Sequence, residues 1–205
     1  MYLSKVTLDL HKPETAISMV RPSRMHGAVE RSFSGGRQHA IWRIERQGSE
    51  AVLLVLSNDR PDLTSLQEQF GTVGLIPVTK DYDGFLNSVR EGGRYYFRLT
   101  ANPTVKVNGK RVPMVLGGAS KYGNTADWAR SRLEKSGYSV DALEITEHRN
   151  VVFTRDNGQR VQFLQATFDG SCTVTDACAA RETLQKGIGH EKAYGCGMMT
   201  LFPDG

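Results

Sequence analysis

Ala40-Ile41-Trp42-Arg43-Ile44-Glu45-Arg46-Gln47-Gly48-Ser49-Glu50-Ala51-Val52-Leu53-Leu54-Val55-Leu56 is the stretch on which the fold of this chain turns. Ala40, Trp42 and Ile44 alternate with Ile41, Arg43 and Glu45, the period of a half-buried strand. Gln47-Gly48-Ser49 reads as a turn, and Ala51 to Leu56 as a fully buried strand. Helical stretches lie on both sides of this strand pair. Upstream, Val6, Leu8 and Leu10 alternate with Lys5, Thr7 and Asp9 as a first strand. A helical stretch follows from about Pro13 to Phe33, interrupted or kinked at Pro22 and Gly27. Downstream, Arg60-Pro61-Asp62 opens a short helix that ends near Phe70-Gly71, with the glycine as C-cap. The region from Val78 to Val89 supplies a last strand. The order is β-α-β-β-α-β.

That order recurs. Tyr95 to Thr100 reads as a strand, and Asn124 to Lys135 as a helix carrying Trp128 and Leu133, capped by Gly137. Ala142 to Phe153 and Arg160 to Phe168 form a hairpin around Asp156-Asn157-Gly158, favoured turn chemistry. Asp176 to Lys186 is an amphipathic helix with Ala177, Ala180 and Leu184 as its stripe, and Gly197 to Phe202 closes the pattern. The expected fold is α+β, two tandem ferredoxin-like (RRM-like) β-α-β-β-α-β domains. They span residues 1–91 and 92–205 and join near Glu91-Gly92-Gly93.

A chain of 205 residues and 22.7 kDa has room for one large domain or two small ones. A net charge of +4 and a pI near 9.0 suit a polyanionic partner without specifying one. Cys172, Cys178 and Cys196 have no Cys-x-x-Cys spacing and no matching histidine pair, which argues against zinc. Their odd number, and an opening Met-Tyr-Leu-Ser-Lys-Val that enters a strand at once, point to a reducing cytoplasm. The longest apolar run, Ala51 to Leu56, is far too short to cross a membrane.

Between the last helix and the last strand lies Gly187-Ile188-Gly189-His190-Glu191-Lys192-Ala193-Tyr194-Gly195-Cys196-Gly197. Glycine at this density lets a backbone approach another polymer closely. Successive open N–H groups beside Lys192 are expected to form a concave phosphate site. The loop is neither a P-loop, since Ala193 follows Lys192, nor a dinucleotide fingerprint, since the order is helix, loop, strand. A glycine-rich turn without ligand carries about equal weight on spacing alone.

Two basic sets stand out. Arg149, Arg155 and Arg160 lie along the second-domain hairpin, where arginines on a β-ribbon grip phosphates or a groove at a stem end. Lys106, Lys110 and Arg111 form another, suited to a nucleic-acid backbone. A merely solvated hairpin is the alternative for the first set. Tyr95, Tyr96 and Phe97 lie on a strand; they could stack bases, although strand aromatics more often belong to the core. Among the five histidines, His26 is the leading proton carrier and His190 its only rival. From position alone His26 is a helix-surface residue.

Four segments together resemble the CasE-type CRISPR-associated endoribonucleases, which cut precursor CRISPR RNA in the type I-E system. They are Met1 to Val6; His26 within Arg24-Met25-His26-Gly27; Arg94 to Thr104 followed by Gly109-Lys110-Arg111-Val112-Pro113; and the glycine-rich ending. The resemblance implies a CRISPR repeat hairpin as substrate, cut without metal or other cofactor at the 3′ base of its stem. It implies 5′-hydroxyl and 2′,3′-cyclic phosphate ends, and an enzyme that stays on the mature crRNA beside the other Cascade subunits. It places catalysis on His26 and likens the loop holding Gly187, Gly189, Lys192, Gly195 and Gly197 to the family's C-terminal loop; with the two basic sets, these residues are the expected RNA contacts. One departure stands out: the family often has tyrosine three residues before the histidine, and here that residue is Ser23. A serine hydroxyl is far less acidic than a phenol, and Arg24 can only stabilise charge. Two other readings stay open: a non-catalytic hairpin-binding subunit of the same fold, and a nucleotide-binding enzyme using the glycine loop. The latter lacks an acidic metal ligand in the sequence.

Overall fold

The structure is a computed structural model that describes residues 1–204 except Arg37, Ser49 and 115–122. Ser49, the last residue of the first expected turn, is therefore outside the described residues. The chain divides into two compact units. One comprises Met1–Phe85, Phe153–Val161 and Lys192–Gly195; the other comprises Leu86–Val152, Gln162–Glu191 and Cys196–Gly205.

In the first unit, β1 (Tyr2–Leu8) is followed by α1 (Pro13–Val20) and α2 (Pro22–Arg31). Pro22 ends the helical stretch as one helix and restarts it as another, since a first-turn proline has no N–H to lose. The strand pair is β2 (Ile41–Gln47) and β3 (Glu50–Ser57), and α3 (Thr64–Phe70) stops at Gly71. The sheet order is β2-β3-β1-β4, with β4 spanning Val78–Asp81, and its three strand pairings are antiparallel. Val6 and Leu8 of β1, Leu53 and Val55 of β3 and Trp42 of β2 make one face of the core. Met25, Ala28 and Val29 of α2, with Leu66 and Phe70 of α3, make the other.

The last strand expected in the region from Val78 to Val89 is β4, four residues long, and Asp83–Ser88 after it is α4. The reason is local. The Asp83 N–H donates to Asp81 Oδ1 (2.8 Å), and Tyr82 stacks on Phe85 with centroids 5.2 Å apart, a spacing of three.

The second unit holds β5 (Arg94–Ala101), a small hairpin of β6 (Thr104–Val107) and β7 (Lys110–Pro113), and α5 (Thr125–Glu134). It continues through β8 (Tyr138–Thr154), β9 (Arg160–Val174), α6 (Ala177–Lys186), a 3-10 turn at Lys192–Tyr194 and β10 (Met199–Pro203). The tip of β8–β9 and the 3-10 turn cluster with the first unit. Its four-stranded sheet runs β10-β5-β9-β8, the same arrangement of first, second, third and fourth strands as the first sheet. Both are ferredoxin-like. Asn124 and Asp127 close a capping box on α5, and Asp176 caps α6 through the Ala179 N–H. Phe97, Leu99, Leu133, Phe168 and Leu184 are buried in its core. The hairpin expected over 142–168 is longer than the alternation suggests, beginning at Tyr138, whose hydroxyl donates to Ala180 O (3.0 Å).

Candidate nucleic-acid interface

α2 buries Pro22, Met25, Ala28 and Val29, the one-face spacing of an amphipathic helix. His26 stands at the margin of that stripe, half-buried, with its Nδ1 atom shielded from solvent. Ser23, also half-buried, is three residues earlier and shares its flank. Arg24 is exposed and, two residues away, lies on the opposite flank. The structure therefore brings Ser23 alongside His26 and does not bring Arg24 there.

The glycine loop differs from the row of open amides expected of it. The Gly187 N–H donates to Thr183 O (2.8 Å), closing α6, and the Ile188 N–H donates to Gly197 O (2.8 Å). The Gly195, Cys196 and Gly197 N–H groups donate to Lys192 O, Glu191 O and Thr100 O at 3.4, 3.4 and 2.6 Å. These amides tie the loop to itself and to β5. Gly195 and Gly197 are buried, with φ of 79° and 92°. A Cβ on Gly195 would lie 2.9 Å from the Trp42 ring. Gly195 is thus required by packing on Trp42, without any ligand. Gly187 and Gly189 are half-buried, His190 is exposed, and Lys192 is half-buried.

Within the first unit, three elements meet at the 3-10 turn. Helix α2 and strand β2 pack against Lys192–Tyr194. Phe153, near the hairpin tip, meets the Tyr194 ring edge-on at 5.1 Å and 77°. The Arg155 guanidinium lies over the same ring at 5.4 Å, and its Nη1 donates to Gln159 Oε1 (2.8 Å). The helix carrying His26 and the hairpin tip carrying Arg155 therefore both meet the turn that carries Lys192 and the buried Tyr194. Nothing in the sequence marks Tyr194, which looks there like any loop aromatic.

The remaining cations lie on exposed ribbons. Arg160 is exposed beside the tip, and Arg149 Nε donates to Gln165 Oε1 (2.8 Å) across the β8–β9 pair. Lys106 faces Arg111 directly across β6–β7, and Lys110 follows the turn. Asn108 and Gly109 make that turn with φ of 48° and 80°, an Asn-Gly hairpin that adds to the expected strand order. Like charges placed opposite one another oppose pairing, so this ribbon is well suited to an anion. Among the described residues, no three His, Cys, Asp or Glu side chains gather as ligands for a metal ion.

Two sheets of one strand order define a tandem ferredoxin-like protein. The chain belongs to the family described as CRISPR associated protein, which it matches over residues 1–203. It is 29% identical to the CRISPR-associated endoribonuclease Cse3 of Thermus thermophilus, over 99% of this chain and 100% of that protein. It is also 29% identical to the CRISPR system Cascade subunit CasE of Escherichia coli, with 99% and 100% covered. A solved structure of CRISPR endoribonuclease Cse3 bound to a 19-nucleotide RNA superimposes with a TM-score of 0.81 at 26% identity, covering 99% and 100% of the two chains.

Proposed function

We propose that this protein is a metal-independent endoribonuclease that binds the CRISPR repeat hairpin, cuts precursor CRISPR RNA at the 3′ base of the stem, and keeps the mature guide within Cascade. The observation that carries this reading is the convergence of the His26 helix, the Lys192 turn and the Arg155 hairpin tip within one compact unit. The family match and the Cse3 and CasE relatives support it.

The chemistry needs little from the protein. The 2′-hydroxyl loses a proton and its oxygen attacks the adjacent phosphorus. The P–O5′ bond breaks, and the leaving oxygen takes up a proton. The products are a 2′,3′-cyclic phosphate and a 5′-hydroxyl. Histidine exchanges protons near neutral pH, and His26 serves as one of the two proton carriers, worth about 10²–10⁴-fold. Lys192 and Arg155 stabilise the charge that builds on the phosphorane. Arg149, Arg160, Lys106, Lys110 and Arg111 hold the RNA backbone.

The catalytic reading is tested by incubating the protein with repeat RNA, with and without EDTA, and analysing the ends. Equal cutting with cyclic-phosphate and 5′-hydroxyl ends is expected. Cutting lost in EDTA overturns metal independence, and hairpin binding with no cutting favours the non-catalytic subunit. Ser23 beside His26 is what favours that second reading. If proton transfer there limits the rate, Ser23→Tyr accelerates cleavage and Ser23→Ala costs little. A loss of orders of magnitude in Ser23→Ala instead gives the serine hydroxyl a direct role.

A further inference from the structure

β5 and β10 of the second unit carry an aromatic pair that the proposed cleavage site does not use. Along β5, Tyr95, Phe97 and Leu99 point into the core, while Arg94, Tyr96 and Arg98 occupy the other face. Tyr96 is 53% exposed. Its direct cross-strand partner on β10 is Phe202, which is 59% exposed. Residues opposite one another on an antiparallel pair have Cβ atoms about 4.5–5.5 Å apart, so the two rings share one patch of open sheet.

Polar groups border the patch. The Tyr96 hydroxyl bonds to the Asp204 carboxylate. Asp204 is held by its backbone N–H, which donates to Arg94 O (3.1 Å), and its Oδ2 lies 3.6 Å from Arg94 Nε. Arg94 is 67% exposed, whereas Arg98 is pinned by Asp169 through two bonds of 2.7 Å. Two exposed aromatic residues paired across the first and fourth strands of a ferredoxin-like sheet offer stacking area to a planar group. Arg94 at the rim is a cation with reach toward a phosphate. A carboxylate has about four lone-pair sites, so Asp204 retains acceptor capacity for a base N–H. An apolar protein surface has no use for that guanidinium and carboxylate, and base-paired RNA exposes a ring face only at the end of a stem, whereas every unpaired base can present one.

We propose that Tyr96 and Phe202 form a stacking platform for an unpaired nucleotide of the bound RNA, with Arg94 on its phosphate. The platform would read single-stranded RNA flanking the hairpin rather than the stem. This rests on the RNA-binding reading above.

The test measures equilibrium binding, by fluorescence anisotropy, of two non-cleavable RNAs: the bare repeat hairpin, and the hairpin with single-stranded extensions on both sides. Stacking on an aromatic is worth enough that Tyr96→Ala or Phe202→Ala is expected to weaken the extended RNA about 5- to 150-fold. Binding of the bare hairpin is expected to stay unchanged, and Tyr96→Phe to retain the stacking. Extensions that add nothing to wild-type affinity overturn the platform, as does equal loss for both RNAs. Unchanged RNA binding in both alanine variants also overturns it. Wild-type protein that binds neither RNA overturns the RNA reading itself.

Discussion

The two sheets place a hairpin at the same position and build it in opposite ways. In the first, β2 and β3 have 7 and 8 residues, and β3 is buried everywhere except Glu50 and the half-buried Leu54. In the second, β8 and β9 have 17 and 15 residues, and from Asp141 to Asn150 no residue of β8 is buried. Burial holds the short hairpin. The long one has hydrogen bonds and charge along its middle and regains burial only at Val151 and Phe153, where Phe153 meets Tyr194. A strand pair that projects cations and is held at both ends suits gripping a polyanion better than filling a core.

The largest effect should come from breaking the far anchor. Gly195→Val puts branched bulk against Trp42 at a φ of 79°, combining overpacking with left-handed strain. A loss of about 2–6 kcal/mol is expected in chemical denaturation. Gly158, at the hairpin tip, has a φ of 81° but no atom within 4 Å of a built Cβ, so Gly158→Ala should cost only about 1–2 kcal/mol. Equal losses at the two positions would mean that Trp42 is not what fixes Gly195.

Next come the cations on the long hairpin. Replacing Arg149, Arg155 and Arg160 one at a time by alanine should weaken RNA binding. Each phosphate contact removed should flatten the log–log salt slope by about 0.7–0.9. Arg46→Ala, on the short hairpin, serves as the control and should leave the slope where it was. A slope that moves for Arg46 and stays for the other three reverses the assignment of the two hairpins.

A last comparison sets the interiors of the two units against each other at high pH. Burial pushes Tyr82 of the first up from 10.0 to about 12. Burial likewise pushes Cys172 and Cys196 of the second from 9.0 to about 12. These groups stay protonated in the fold while the unfolded chain ionises. Their contribution is complete below pH 9, and it falls away as pH rises toward about 12. Denaturation midpoints measured across that range should decline, the thiols acting before the phenol. Near neutral pH, iodoacetamide should label exposed Cys178 ahead of the two buried thiols. Early labelling of Cys196 would show that its burial is transient.

Much of this was legible in the residues. Alternation in β1 and β2, Pro22 as a helix break, Gly71 and Gly137 at helix ends and Asn157-Gly158 at a turn all reflect local backbone preferences. What escaped depends on distant contacts. Val78 to Val89 has enough apolar residues for a strand, and only the Tyr82–Phe85 stacking and buried Leu86 show that half of it is helix. The glycine loop looks open in sequence because nothing local says that Thr100 O and Gly197 O consume its amides. Arg43 reads as a solvated strand residue, yet it is 1% exposed and paired with Glu45 two residues on. The β6–β7 hairpin was within reach of the residues alone, since Asn108-Gly109 between its cations is a strong short-range turn signal.

Single-turnover cleavage and equilibrium binding of the repeat hairpin by His26→Ala, measured together, test the central claim most directly. With His26 as a proton carrier at the meeting point of α2, the Lys192 turn and the hairpin tip, cleavage should fall by about 10²–10⁴-fold while affinity stays near wild type. Near-normal cutting by the variant would remove His26 from the chemistry and return α2 to a purely structural part.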